Sequence, residues 1–348
     1  SALDTVVAAA ILELLKELQR ELNLSYMFIS HDLSTVEAIC DEVLVMLKGR
    51  VVEALPAARM STDAAHPYSR LLIGSIDTGQ GHATSFRQIL SDRLGLDPAR
   101  IDVVSGDTGI VAQGTGSFGS RTSAAAGAAI DETAGRIIDE LKADAADRLE
   151  VAEVDLVFEE GRYRVAGTDR SIAFAEVLSH RETPVESEAF VSPLAATFPN
   201  GCHVCEVEVD PETGVVQIDR YVVCDDVGAV VNPLLLKGQI HGGIAQGAGQ
   251  ALGEAIAYDE TGQILTASFM DYRMPRASDL PDFEVVGNHV PTPNNPFGIK
   301  GAGEAGTVGA LPVVISAIVD ALRPFGVTHL DMPATPERVW RAIRAVRS

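Results

Sequence analysis

Lys300-Gly301-Ala302-Gly303-Glu304-Ala305-Gly306 runs straight into an apolar helical stretch over residues 307–322, with one acidic side chain in the middle of its glycines. A second loop of the same kind, Gly114-Thr115-Gly116-Ser117-Phe118-Gly119-Ser120-Arg121, leads into an Ala-rich helical stretch over 122–149. Both match G-x-G-x-x-G, the pattern that lets backbone approach a pyrophosphate in a Rossmann strand-turn-helix unit. Neither loop sits in such a unit. The first is parted by a loop from the strand predicted over 101–104, and about twenty residues beyond it the chain is still helical, where a ribose-binding acid would need a second strand tip. In the second, Glu304 would repel a pyrophosphate. The two loops therefore read as backbone-rich cradles for a phosphate-bearing group, with one acid held at close range.

Around them the pattern is α+β. Phe86, Ile89, Leu90 and Leu94 share one side of a helix predicted over 84–94, and residues 156–158 and 163–165 flank Glu160-Gly161 as a hairpin. A second hairpin alternates apolar and polar residues over 204–209 and 215–223 around Asp210-Pro211-Glu212-Thr213-Gly214. Pro233 opens a helix through Gly253, studded with glycine for close packing, and Thr335-Pro336-Glu337 gives a cap, a first-turn proline and an acid ahead of Val339, Trp340 and Ile343.

Residues 1–76 read differently. Val7, Ile11, Leu14, Leu15, Leu18 and Leu22 form one helical stripe that Asp4 can cap, residues 26–29 form a short strand with His31 and Asp32 at its end, and residues 43–47 turn at Gly49 into Val51-Val52. This is α/β alternation cut short. Near Ile76 and Asp77 the character changes to small residues and glycine without a polar linker, and the chain opens on Ser1 with no initiator Met; the expectation is two joined gene fragments, 1–76 and 77–348.

Composition narrows the function. Of 348 residues 46% are hydrophobic and 22% charged, a globular composition, and 27 basic against 49 acidic residues leave a net charge of −22. Such a surface repels phosphate backbones and anionic headgroups, so neither nucleic acid nor a membrane surface is an expected partner. No uninterrupted apolar run reaches the ~20 residues of a spanning helix, the best candidate containing Asp320. Four scattered cysteines predict a reducing, cytoplasmic setting. Cys202-His203-Val204-Cys205 looks like half a metal site, but residues i and i+3 of a strand face opposite ways, and His82 has no partner at ligand spacing; no metal ligand is predicted from protein side chains.

Two resemblances follow from ordered motifs. Ser1-Ala2-Leu3-Asp4, Phe28-Ile29-Ser30-His31-Asp32-Leu33 and His66-Pro67-Tyr68-Ser69-Arg70 resemble the D-loop, switch-histidine segment and tail of the oligopeptide-type ABC transporter ATP-binding subunit. The resemblance implies nucleotide-sensing remnants at Asp4 and His31, yet no Gly-Lys pair exists for a P-loop and no complete ATP site is expected. From residue 77 onward, Gly79-Gln80-Gly81-His82, Gly106-Asp107-Thr108, the 114–121 loop, Asp225-Asp226 through Asn232-Pro233, Gly238-Gln239-Ile240-His241-Gly242-Gly243 and the 300–306 loop resemble, in order, the C-terminal part of the large subunit of molybdenum hydroxylases of the xanthine dehydrogenase and aerobic carbon monoxide dehydrogenase family.

That second resemblance implies a molybdopterin-binding domain with Glu304 as catalytic base and a molybdenum-molybdopterin cytosine dinucleotide held by Gln80, Gly81, His82, Gly116, Ser117, Phe118, Gly119, Ser120, Arg121, Asp226, Asn232, Lys300, Gly301 and Gly303. It implies water-derived hydroxylation of a small-molecule substrate, and as partners iron-sulfur and flavin subunits together with an N-terminal large-subunit half that this chain lacks. A carboxylate buried in a glycine loop has a raised pKa suited to a base. Glu304 also fits a helix N-terminal carboxylate facing the dipole of the 307–322 helix, a reading that ranks below the base because the acid lies in a loop of backbone donors and not on a solvated helix turn. The competing readings of the whole chain are an inert fusion product of two gene fragments and an ABC peptide-transporter ATPase remnant without ATPase activity.

Overall fold

The computed structural model describes residues 70–347 apart from 112–113, 115, 182–183 and 192–194, together with 42–47, 50–56, Ser69 and, elsewhere, residues 13, 16, 17, 21 and 40. The chain divides into two units, Ser1–Ser69 with Ala175–Glu186, and Arg70–Phe174 with Ser187–Ser348. In the first, β1 (Glu42–Leu47) and β2 (Arg50–Pro56) form the antiparallel hairpin expected around Gly49, with a register irregularity between Val45 and Met46. Residues 13, 16, 17 and 21 of the expected first helix are helical. Asp4, His31 and the 26–29 strand lie outside the described residues.

The second unit begins at Arg70, seven residues ahead of the join expected at 77. All but the first residue of β3 (Ser69–Ile73) belong to it, Leu71 and Ile73 are buried, and β3 pairs with β4 (Ile101–Ser105). Between them, Asp77 accepts the N–H groups of Gly79, Gly81 and Ala83, which turns the chain into α1 (His82–Leu94). Burial works against ionisation of Asp77, but the Ala83 and Gly79 N–H groups, the His82 ring and the Gly81 N–H outweigh it and hold its carboxyl below the usual range. The Ala-rich stretch expected as one helix is two, α2 (Thr122–Glu140) and α3 (Lys142–Leu149). They meet at fully buried Leu141, whose N–H is shared between the carbonyls of Asp139 and Ile137, the tightened turn typical of a helix end. Beside them β5 (Leu156–Glu159), β6 (Arg162–Val165) and β7 (Ser171–Ala173) make a three-stranded antiparallel sheet. Buried Tyr163 donates its hydroxyl to the Ile138 carbonyl.

The main core lies on the sheet of β8 (Asn200–Val209), β9 (Val216–Asp226) and β10 (Phe283–Gly287). β8 and β9 are the expected hairpin, longer at both outer ends; β10 adds parallel to β9, a pairing the alternation pattern did not reveal. Helix α4 (Pro233–Leu252) opens on Asn232, whose side chain accepts the Leu235 N–H, with Pro233 in the first turn. Helix α5 (Ala305–Leu322) starts two residues before the expected span. By length and composition α5 could cross a membrane, a correction to the reading that no apolar run is long enough, but Ala310, Val314, Ile318 and Leu322 form an i, i+4 stripe buried in this core. Val339 and Ile343 of α6 (Pro336–Arg347) close it.

Glycine sets how close α4 and α5 come. A Cβ on Gly306 would stand 2.6 Å from the Ile240 carbonyl oxygen, and one on Gly247 2.7 Å from Ala310 Cβ. At the end of β9 the chain is fastened by charge. Lys300 Nζ donates to Asp226 Oδ2 at 2.5 Å with both side chains about a tenth exposed, while Asp226 Oδ1 accepts the N–H groups of Gly228 and Val290 at 3.0 Å each. Backbone follows the pair: Lys300 N–H reaches the Val227 carbonyl, Ala229 N–H the Gly298 carbonyl, and Gly228 bridges Ile299. The Lys300 ammonium first and the Val290 N–H second, against burial, pull the Asp226 pKa down to about 2.

Two outcomes are expected from this packing. Because folding lowers the Asp226 pKa, the stability it contributes is whole above the ordinary carboxylate value of 3.8 and is lost as pH falls toward about 2. Lys300→Met should destabilise by about 3 kcal/mol in urea at neutral pH and flatten that acid limb, since a buried carboxylate is left without its cation; an unchanged acid limb would show the pair to be incidental. Gly306→Val should cost ~1–3 kcal/mol by forcing α4 and α5 apart, read as a lower melting temperature.

Candidate functional site

The loops that carry the expected site residues converge in the second unit. They surround a cleft of about 310 Å³ to which Gln80, His82, Ser117, Phe118, Gly119, Ser120, Asn232, Lys300, Gly303 and Glu304 contribute. Gly81, Gly116, Arg121, Asp226 and Gly301 lie outside that lining. Gly81 has φ +77° and faces the Leu235 side chain, Arg121 lays its guanidinium 4.0 Å over the Phe118 ring, and Asp226 holds Lys300. Gly301 lets the two glycine loops touch, since a Cβ there would be 2.9 Å from Ser120.

Ser120 is the point of contact. Its Oγ donates to Glu304 Oε2 and accepts the Glu304 backbone N–H, both at 2.9 Å, across 184 residues of sequence. Its φ of +52° is left-handed, unusual for a residue with a Cβ, and turns the side chain toward the second loop. Glu304 directly precedes α5, but its carboxylate makes no capping bond to that helix; it is spent on Ser120. Glu304 is exposed at the cleft rim, which corrects the expectation of a carboxylate buried among glycines. The glycines bring backbone close on one side only and leave the side chain facing open space.

The cleft can take an anion without a metal-ligating side chain. Gly119, in the lining, has φ +60° with nothing within 4 Å of where a Cβ would be, so a ligand can approach its backbone; Gly79 and Gly116, outside the lining, are likewise open at φ +107° and +73°. Hydroxyls of Ser117, Ser120, Thr122 and Ser123 and amides of Gln80, Asn232 and Gln239 surround that space. Ser117 Oγ also donates to the Ile76 carbonyl at 2.8 Å, tying the 114–121 loop to the 76–82 turn. Asn232 has a structural duty as the α4 cap, and His82 is buried, stacked on Phe86 with Nδ1 3.4 Å from the Ile76 carbonyl. Among the described residues no group of three or more His, Cys, Asp and Glu could hold a metal ion.

Some functional positions escaped the sequence reading. Gln239, Thr122 and Ser123 line the cleft, and Val227 with Ala229, Val230 and Val231 forms an apolar wall; Gln239 sat inside a recognised motif, and the hydroxyls directly follow Arg121. Between β8 and β9, His203 Nδ1 meets the Tyr221 hydroxyl at 2.7 Å and its Nε2 lies 3.4 Å from Asp225 Oδ1, with His203 part-buried and the other two buried. A Cβ on Gly309 would strike the His203 ring.

Known proteins resemble this chain in sequence and fold. The molybdopterin cofactor-binding domain family matches residues 65–281. The chain is 37% identical over 281 residues to the carbon monoxide dehydrogenase large chain of Hydrogenophaga pseudoflava, covering 78% of this chain and 35% of that one. It is 37% identical to the nicotine 6-hydroxylase large subunit of Paenarthrobacter nicotinovorans, covering 77% and 34%. The structure of reconstituted CO dehydrogenase from Oligotropha carboxidovorans superposes with a TM-score of 0.75 at 34% identity, over 81% of this chain and 36% of that one. The chain thus spans about a third of the length of the curated relatives it matches. With the family match over residues 65–281 taking in the Gln80, Ser117–Ser120 and Asn232 walls of the cleft, the chain belongs to the molybdopterin cofactor-binding domain family.

Proposed function

We propose that the chain is the base-bearing, cofactor-cradling part of a molybdenum hydroxylase large subunit, an oxidoreductase that hydroxylates a small substrate with oxygen from water. The observation that carries this reading is the contact between Ser120 and Glu304, which brings the only acid of the two glycine loops to the mouth of a cleft rich in neutral donors. The open backbone at Gly79, Gly116 and Gly119 suits a pyrophosphate-bearing group, and Gln80, Gly81, His82, Ser117, Phe118, Ser120, Arg121, Asn232, Gly301 and Gly303 complete its cradle, with Asp226 acting through Lys300. The group assigned to it is molybdenum-molybdopterin cytosine dinucleotide. When bound, it supplies the two-electron redox chemistry.

The chain's own residues do the rest. Ser120 holds Glu304 Oε2 and its backbone N–H, so the carboxylate is fixed in direction and Oε1 is left to accept the proton that a water-derived nucleophile must lose. Phe118, braced by Arg121, and the 227–231 wall keep one flank of the cleft apolar. The remainder of the large subunit and iron-sulfur and flavin subunits are the partners this reading requires, in the cytoplasm; the relatives' names as large chains or subunits support it. The residues ahead of Arg70, where the second unit begins, are assigned on their motifs alone to a remnant of an ABC transporter ATP-binding subunit.

Glu304→Gln in the assembled complex should retain molybdenum by elemental analysis and lose turnover by ~10²- to 10⁴-fold in a dye-reduction assay, because a base is lost and no ligand is. Full activity in the variant would remove Glu304 from the mechanism, and wild type without molybdenum after cofactor-replete expression with its genomic neighbours would favour the inert fusion. The purified chain should release no phosphate from ATP above background, having no Gly-Lys pair to form a P-loop; turnover abolished by His31→Ala would overturn the remnant assignment.

A further inference from the structure

The Cys202-x-x-Cys205 pair that catches the eye in the sequence is taken apart by the strand, and a different pair is put together. On β8, His203, Cys205 and Val207 turn toward the core and Cys202 and Val204 turn outward. On β9, Tyr221, Val223 and Asp225 are buried, so Val222 and Cys224 take the other face. The register sets Cys202 directly opposite Cys224, and Cys205 opposite Tyr221. Directly opposed residues of an antiparallel pair project to the same face with Cα atoms about 4.5 or 5.5 Å apart, according to the type of pair. Both separations fall inside the window of about 4.4–6.8 Å that a disulfide spans.

The face they share is open. Cys202 is exposed, Cys224 is half-buried, and the row continues across the sheet to Val286, itself opposite Cys224 on β10 and 51% exposed; Val204, the next outward residue of β8, is also 51% exposed. Neither thiol is in a disulfide. From this juxtaposition we propose that Cys202 and Cys224 form a two-thiol oxidation site that a peroxide closes into a cross-strand disulfide. Exposed Cys202 reacts first: its sulfur takes one oxygen of hydrogen peroxide, the O–O bond breaks, and water leaves, giving a sulfenic acid. Cys224 sulfur then attacks the Cys202 sulfur, the S–S bond forms, the S–O bond breaks, and hydroxide leaves with the Cys224 proton as the second water. Two thiols and one peroxide thus yield one disulfide and two waters, and a thiol reductant reverses it.

Cys205 is outside this chemistry. It faces the core, and burial, with the Glu206 charge second, pushes its thiol up to about 11. The position of the bridge gives it a consequence. Cys224 precedes by two residues the Asp226 that fastens Lys300, and the opposed pairs Gly201 with Asp225 and Asn200 with Asp226 follow it along the ladder, so the bridge ties the two strands where β9 passes into the cleft wall.

The test uses the full chain, freed of reductant, treated with a few equivalents of hydrogen peroxide, alkylated and digested with trypsin without reduction. Cleavage after Arg181, Arg220 and Lys237 puts Cys202 and Cys205 on the 182–220 peptide and Cys224 on the 221–237 peptide. The two should be found joined, lighter than their sum by two hydrogens, and separate again after dithiothreitol. The joined species should persist in Cys205→Ser and vanish in Cys202→Ser and Cys224→Ser. No joined species in wild type, or one that survives Cys202→Ser, would overturn the proposal. The readout needs no cofactor, so it stands or falls apart from the molybdenum reading.

Discussion

The pairing of Lys300 with Asp226 is the constraint on which the cleft depends. β9 delivers Asp226 as its last residue, and one carboxylate there takes an ammonium and two backbone N–H groups at once. Desolvating a lone carboxylate or a lone ammonium would oppose folding; desolvated together and fully hydrogen-bonded, they define one position for each loop. From that position the 298–300 backbone lies against 227–229, the apolar wall follows, and the Gly301–Glu304 turn emerges beside Ser120. Gly228, with φ +68° and the Gly298 oxygen 2.2 Å from where its Cβ would be, is the one residue type that fits between the two loops.

The second constraint is the approach of α4 to α5. Gly243 faces the Gly306 backbone and Gly247 faces Ala310, so the helix that begins after Glu304 is held at backbone contact with the helix that begins after Asn232. Two ends of rigid elements thereby meet at the cleft, one bringing an acid and the other a capping amide. A site on helix starts is better fixed than one on free loops, because each helix's buried stripe ties its position to the sheet.

What the sequence disclosed follows from separation along the chain. Asn232-Pro233, Thr335-Pro336 and the 156–165 hairpin are local signals, in which the residues that decide the structure are neighbours, and each appears where it was expected. Contacts between distant residues were legible only where an ordered set of motifs stood in for them. Lys300 and Asp226 are 74 residues apart and Ser120 and Glu304 are 184 apart, and no periodicity links either pair. β10 escaped because a parallel partner is reached by a crossover and not by a turn. The exposure of Glu304 escaped because glycines were read as enclosing the acid, whereas they only thin one side of its surroundings. Cys202 drew attention to Cys205, its neighbour in sequence, when its neighbour in space is Cys224.

The electrostatics of the cleft follow from an acidic chain with few lysines. At a net charge of −22, an anion approaching the surface is repelled over a distance of several ångströms, and salt screens this only in part. Lys300 does not reverse that field, since Asp226 already offsets its charge, and the Arg121 guanidinium lies over Phe118. A phosphate in this cleft would therefore be met chiefly by neutral donors: hydroxyls of Thr122 and Ser123, amides of Gln80 and Gln239, and the backbone at Gly119. Such donors act at contact and not at range, so they favour a ligand that fits over any passing anion. The same logic suits Glu304: with no free cation beside it among the described residues, its direction comes from Ser120, and a hydroxyl can fix a carboxylate without neutralising it.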